Sequence, residues 1–268
     1  MHLVKEAWTA IDRVLSGQDA DLADRLKGLV DVGSYSYDLV GLHFLSTILT
    51  EALGELDVVV ERQTLSAESR VDDAGVLMHQ PLGDLLVTRK RPQAERQVVL
   101  GIHYDTVYSK DHPVRHFQCD GSRAIGPGVA DAKGGIVVML AALRAFEACP
   151  HADRLGWELF LNPDEELGSP GSRDYLAACA GRFDFGLLFE PALPDGSLVR
   201  RRKGSGNFTF VVKGRASHAG RDFHSGCNAV LHACRLAERI DQLNGKFGDS
   251  TFNVGRIVGG GATNVVPD

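Results

Sequence analysis

Val98-Val99-Leu100-Gly101-Ile102, running at once into His103-Tyr104-Asp105, is the stretch that decides the fold. A run that is apolar on both faces reads as a strand covered on both sides, the habit of parallel sheets packed between helices. Trp157 to Leu161 and Phe185 to Phe189 repeat the pattern, and helical segments at Gly135 to Cys149 and Ser172 to Cys179 lie between the three runs. That alternation predicts an α/β fold with a mainly parallel sheet flanked by helices. Leu85 to Thr88 and the β-branched Val58 to Val60 read as further strands. Ahead of them, Val40, Phe44, Leu45, Ile48, Leu49 and Ala52 follow helical spacing from Asp38 to Leu53, and Gly54 is placed to stop that helix.

Toward the other end the texture changes. Pro194 to Gly206 is polar and basic, with Arg200-Arg201-Arg202-Lys203 inside it, and reads as a linker or hinge whose charges are solvated. Beyond it an alternating strand (Asn207 to Lys213), a helix (Asn228 to Leu243) and a strand (Thr251 to Val258) predict a small β-α-β unit. Asn264-Val265-Val266-Pro267-Asp268 reads as the start of an element. The expected organisation is a larger α/β domain over 1–198 and a smaller, partial α+β domain over 199–268.

Composition narrows the function. With 29 basic residues against 35 acidic ones the chain carries −6 at pH 7, which repels a phosphate backbone and argues against a nucleic-acid partner. The longest apolar run, Ile136 to Leu143, is far shorter than the roughly 20 residues a membrane span needs. Met1 to Trp8 mixes both charge signs with no apolar stretch behind it, so no export signal is visible. The five cysteines contain no C-x-x-C pair and suit reduced thiols, so the expected setting is cytoplasmic.

Each of the three apolar strands ends in ionisable residues: His103-Tyr104-Asp105, Asp164-Glu165-Glu166 and Glu190. In an open parallel sheet the carboxyl ends of the strands share one edge, where ligands bind, so these groups converge. Crowded carboxylates repel unless a cation lies among them, and imidazole with carboxylate oxygens suits zinc, with manganese or cobalt as alternatives. Residues two apart on an extended chain point the same way, so Asp105 can accept the second ring N–H of His103. Asp131 lies in a glycine-rich loop, Gly126 to Gly135, which opens onto a helix and can bring a further carboxylate to the rim. Glu165 and Glu166 diverge in direction, so that one can bind metal while the other acts as a general base. Competing motifs fail on spacing: the loop lacks the third glycine of G-x-G-x-x-G and any G-K-[ST], Ser217-His218 has no G-x-S-x-G, and H-E-x-x-H is absent.

The ordered series His103-x-Asp105, Gly128-x-x-Asp131-x-Lys133-Gly134-Gly135, Asp164-Glu165-Glu166-x-Gly168-Ser169, Glu190-Pro191, Gly214-x-x-Ser217-His218-Ala219-Gly220 and Gly259-Gly260-x-x-x-Asn264-Val265-Val266-Pro267 resembles the zinc aminoacylase and glutamate carboxypeptidase family. That family also includes acetylornithine deacetylase and succinyl-diaminopimelate desuccinylase. The likeness runs from about Leu29 to the last residue, and Gly33 to Asp38 and His103 to Tyr108 are most similar to the glutamate carboxypeptidase branch. The resemblance implies a catalytic α/β domain with two zinc ions per subunit, an inserted lid domain that makes a homodimer contact, and hydrolysis of an amide in an N-acyl-amino acid or peptide. By position, His103 and Glu190 would bind one zinc, Asp131 would bridge, and Glu166 would bind the second. Glu165 would be the base, Asp105 the orienter of His103, His218 the group that polarises the scissile carbonyl across the dimer, and Asn264 a neighbour of the substrate carboxylate. The family's late histidine, which completes the second zinc site, follows the Asn-Val-Val-Pro segment and is not in this sequence. The expectation is that this polypeptide holds at most one zinc tightly; the alternative is a catalytically inactive fragment or a binding or dimerisation homologue.

Overall fold

The computed structural model describes residues 2–199, 201 and 203–268. Of the expected hinge at Arg200 to Lys203, Arg200 and Arg202 lie outside the described residues. Two compact units divide the chain: Met1–Glu68 with His79–Arg201, and Ser69–Met78 with Arg202–Asp268. Chain order alone does not suggest that Ser69–Met78 groups with the C-terminal residues.

The first unit opens with helices α1 (His2–Leu15), α2 (Asp19–Val30) and α3 (Leu39–Gly54), followed by strand β1 (Val60–Thr64). A two-stranded ribbon, β2 (Glu68–Val71) and β3 (Leu77–Gln80), most of which groups with the second unit, comes before β4 (Asp84–Lys90) and β5 (Arg96–His103) in the chain. The hairpin β6 (Gln118–Asp120) and β7 (Arg123–Ile125) leads to α4 (Gly134–Glu147), β8 (Leu155–Asn162), α5 (Arg173–Cys179) and β9 (Phe185–Leu188). Five strands form the main sheet in the order β1-β4-β8-β5-β9. β5 lies parallel to both β8 and β9, whereas β4 is antiparallel to both of its neighbours. The register sets Val98 beside Trp157 and His103 beside Asn162, so β5 and β8 end on the same rim.

Strand periodicity distributes the core over two faces. Leu86, Val98, Leu100, Ile102, Trp157, Leu159 and Leu161 pack with α3 and α4 on one face, while Leu85, Val87, Val99 and Phe160 meet Tyr175, Leu176 and Cys179 of α5 on the other. Helix α3 reaches the core through Leu42, Leu45, Leu49 and Leu53, spaced by three and four residues.

Several expectations need correction. β1 runs over Val60–Thr64 and not over Val58 to Val60: Val59 is 87% exposed, and the polar residues Glu61 to Thr64 pair with β4 at the sheet edge, where one side faces water. β9 is not buried on both faces. It is the opposite edge, bonded among the described residues to β5 alone, and Leu188 is 67% exposed. Helices α1 and α2 were not anticipated, although Asp19 and Asp21 in the first turn of α2 and the spacing of Leu22, Leu26 and Leu29 are start and face signals.

The second unit holds β10 (Ser217–His218), α6 (Ala229–Asp241) and β11 (Val265–Val266), with β10 antiparallel to β11. Asn228 caps α6, its Oδ1 accepting from Leu231 N at 2.8 Å. The expected strands Asn207 to Lys213 and Thr251 to Val258 are not formed, so the β-α-β unit is replaced by one helix and a two-residue ladder. Alternation favours extended chain, but a strand also needs a partner for its backbone groups, and neither segment has one among the described residues. No described helix is long and apolar enough to cross a membrane.

Candidate metal centre

The rim of β5 is locked before any ligand is considered. Tyr104 is fully buried, its N–H donates to the Asn162 carbonyl at 2.9 Å, and its hydroxyl donates to the Asp84 carbonyl at 2.6 Å. His103, one residue earlier, has a contact at each ring nitrogen. Its Nδ1 lies 3.0 Å from the Asp105 backbone oxygen and 3.3 Å from Asp105 Oδ1, and its Nε2 faces Asp131 Oδ1 at 2.9 Å. Glu190, just past β9, brings Oε2 to 3.9 Å from the same Nε2.

Asp131 reaches the rim on the irregular turn Val129–Lys133. The turn is entered through Gly128 at φ 75°, a conformation side chains disfavour, and is tied by Lys133 N–H to the Gly128 carbonyl at 2.7 Å. Lys133 is completely buried and donates from Nζ to the Val32 carbonyl at 2.8 Å. Burial pulls its amine down to about 8, with Asp31 opposing that effect. A Cβ at Gly135 would collide with the Phe189 carbonyl oxygen, so glycine there lets the start of α4 lie against the end of β9, next to Glu190.

The turn after β8 is set by two acids with different tasks. Asp164 is buried, and its oxygens accept from Gly171 N (2.7 Å), Ser172 N (3.0 Å) and Ser172 Oγ (2.6 Å), which occupies it away from the cluster it was expected to join. Asp105 accepts from Glu165 N at 3.2 Å and Glu166 N at 3.3 Å. Glu166 is half-buried and turned inward, and Glu165 is exposed. The ligand atoms of His103, Asp131 and Glu166 all lie within 4.8 Å of one another.

The electrostatics mark a site built for added positive charge. Burial pushes the Glu166 carboxyl up to about 7; His103 opposes this, while Asp131, Asp105 and Glu165 add to it. Burial lowers His103, yet Asp105, Asp131 and Glu190 outweigh that effect and hold the imidazole at about 10, so a proton stands between the histidine and its acids. One imidazole nitrogen and two carboxylates within this span fit a divalent ion, which would displace such protons.

His218 and Asn264 belong to the second unit, where the β10–β11 ladder makes them neighbours: Ala219 N–H donates to the Asn264 carbonyl at 2.9 Å. Both are exposed, and His218 Nδ1 accepts from Gly220 N at 3.1 Å. The sequence reading assigned no task to Ser36, whose Oγ donates to Asp105 Oδ2 at 2.7 Å, nor to the amine of Lys133. A lysine two residues after Asp131 in a glycine-rich loop was a readable signal; a serine 69 residues before its partner was not.

A mixed α/β sheet thus gathers a histidine and acids at one rim, a donor set that fits a divalent metal. Residues 84–206 match peptidase family M28, and residues 200–268 match a peptidase dimerisation domain. Carboxypeptidase G2 of a Pseudomonas species is 30% identical over 244 residues, covering 90% of this chain and 56% of that protein. The chain spans about half the length of the curated relatives it matches. Among solved structures, a tripeptidase of Staphylococcus aureus aligns over 92% of this chain and 63% of its own at TM-score 0.59 and 20% identity. An M20 family metallo-carboxypeptidase, Sso-CP2 of Sulfolobus solfataricus, aligns over 92% and 68% at TM-score 0.56 and 13% identity. At such identities the two structures speak for the fold. In sequence the chain is similar to peptidase family M28 over part of its first unit, to a peptidase dimerisation domain over its last residues, and to carboxypeptidases along most of its length.

Proposed function

We propose that this chain is the greater part of a zinc-dependent amide hydrolase acting on N-acyl-amino acids or peptides in the manner of a carboxypeptidase. The observation that carries the reading is the division at the rim: His103, Asp131 and Glu166 converge within 4.8 Å, while Glu165, next in sequence, faces outward. His103, Asp131, Glu166 and Glu190 would hold the metal, with cobalt or manganese as substitutes. Zinc, when bound, lowers the pKa of water toward about 7 and polarises a carbonyl. Glu165 takes the proton of the attacking water and returns it to the leaving amine. Asp105 keeps His103 in the tautomer whose Nε2 faces the ion. By the family resemblance, His218 would be lent across the dimer to the carbonyl oxygen as charge develops on it, and Asn264 would lie near the substrate carboxylate.

Residues 1–198 are the catalytic domain in this reading and 199–268 a lid and dimerisation domain, supported by the match to a peptidase dimerisation domain, with a homodimer as the assembly. Five free thiols suit a cytoplasmic setting.

The test is metal-loaded turnover of acyl-amino acids and dipeptides, run beside a chromogenic phosphoester. Amide cleavage that a chelator removes is expected, with no phosphoester cleavage. Glu165→Ala should abolish turnover and leave zinc binding in place. A near-normal rate in Glu165→Ala overturns the assigned base, and a chain that takes up no zinc overturns the whole reading.

A further inference from the structure

The Asp105 carboxylate is fully buried, and its contacts divide into two sets. Toward the site it faces His103 Nδ1 and accepts the N–H groups of Glu165 and Glu166. Away from the site it meets Ser36, also buried, whose Oγ donates to Oδ2 at 2.7 Å. That bond is the shortest of the four and the only one from a segment outside β5 and the turn after β8.

Ser36 is itself fixed. Its N–H donates to the Thr106 carbonyl at 3.2 Å, and Thr106 N–H donates to the Ser34 carbonyl at 2.8 Å, so Ser34 to Ser36 runs as a short rail beside the end of β5. Two residues ahead of the rail, the Val32 carbonyl accepts the buried amine of Lys133, which helps hold the turn that carries Asp131.

We propose that Ser36 is a positioning residue of the metal centre: its hydroxyl holds Asp105 in the orientation that faces His103 and receives the backbone of Glu165 and Glu166. Without that donor the buried carboxylate is left with an unmet lone pair and turns toward its remaining partners, dragging the imidazole and the Glu166 turn with it. The inference rests on the proposed metal-binding reading of the cluster.

The test compares Ser36→Ala and Ser36→Thr in the full chain by zinc competition against a chromogenic chelator, by the visible spectrum of the cobalt form, and by melting of the metal-free protein. Partners that orient metal ligands are worth about 10–100-fold in affinity, and Ser36→Ala should weaken zinc binding by about tenfold, at the low end because it acts through Asp105. The cobalt spectrum should shift in Ser36→Ala and return in Ser36→Thr, while metal-free melting falls modestly through the loss of one buried hydrogen bond. Ser36→Thr keeps the hydroxyl and should recover most of the affinity. Should Ser36→Ala not fold, Ser36→Cys gives the same reading, having nearly the same volume and only a weak donor. Unchanged affinity in Ser36→Ala, or a Ser36→Thr chain as weak as Ser36→Ala, overturns the proposal. A parent chain that binds no zinc overturns the metal reading and this inference together, whereas a zinc-binding parent with an indifferent Ser36→Ala overturns the inference alone.

Discussion

Val98 to Ile102 and Phe208 to Val212 are comparable as sequence, each rich in β-branched residues, yet they meet different fates. The first is bonded on both sides, to β8 and β9, and its side chains are buried between α4 and α5. The second carries no ladder among the described residues, and Phe208 is 81% exposed. Side-chain preference is the same in both; what differs is a partner for the backbone and a cover for the side chains. The sharpest way to break the comparison is at the centre of the paired region. Leu159 on β8 is fully buried, and Leu159→Ala should cost about 2–5 kcal/mol in denaturant unfolding, because the packed neighbours cannot fill the cavity. A loss below about 1 kcal/mol, the range of ordinary surface changes, would mean that the sheet is no better packed than the second unit.

The next effect in size tests whether the rim shares that rigidity. Lys133→Met keeps an apolar stem of similar length but removes the donor to the Val32 carbonyl. An orphaned buried acceptor costs about 1–3 kcal/mol, so denaturant unfolding should fall by that amount, with a weaker zinc site because the Asp131 turn loses its anchor. Stability and zinc affinity that both match the parent would show that Gly128 and the backbone alone hold the turn.

A smaller effect lies at the far end of α4, where Glu147 accepts from Arg91, Trp157 and, by ion pairing, Lys90. Burial would raise this carboxyl, but those partners outweigh it and hold it at about 2, below its ordinary 4.5. A depressed folded-state value stabilises the fold above the unfolded pKa, and that contribution is lost as pH falls from about 4.5 through about 2. Acid titrations of unfolding should show this loss in the parent and not in Glu147→Gln. Identical acid profiles would remove the network from the account of how α4 is pinned to β8.

Much of this was readable in advance where cause and residue are close in sequence. His103 follows β5 directly, Asp105 is two residues on, and Glu165 and Glu166 follow β8, so local periodicity placed them on one rim. Asp164 was read with them because acids look alike in a string; only the hydroxyl and N–H groups at Ser172 and Gly171 reveal it as a tie within its own turn. Ser36 was invisible for the reverse reason, since its chemistry is unremarkable until the fold brings Asp105 to 2.7 Å. The exposure of β9 and the absence, among the described residues, of ladders at 207–213 and 251–258 have one cause: apolar content reports a need for cover without saying whether cover is present.

That last point can be measured at its smallest scale. If Phe208 is exposed and unpaired, Phe208→Ala removes little that folding had gained, and the stability of the monomeric chain should change by no more than about 0.5 kcal/mol, the usual range for surface positions. The same substitution at Phe160, which is 4% exposed and packed against α5, should cost about 3–5 kcal/mol. The measurement belongs at low protein concentration, because an assembly that covers Phe208 would add its own contribution to the apparent stability. If Phe208→Ala and Phe160→Ala cost the same in dilute monomer, residues 207–213 are covered and packed in solution, and the contrast between the two apolar segments falls.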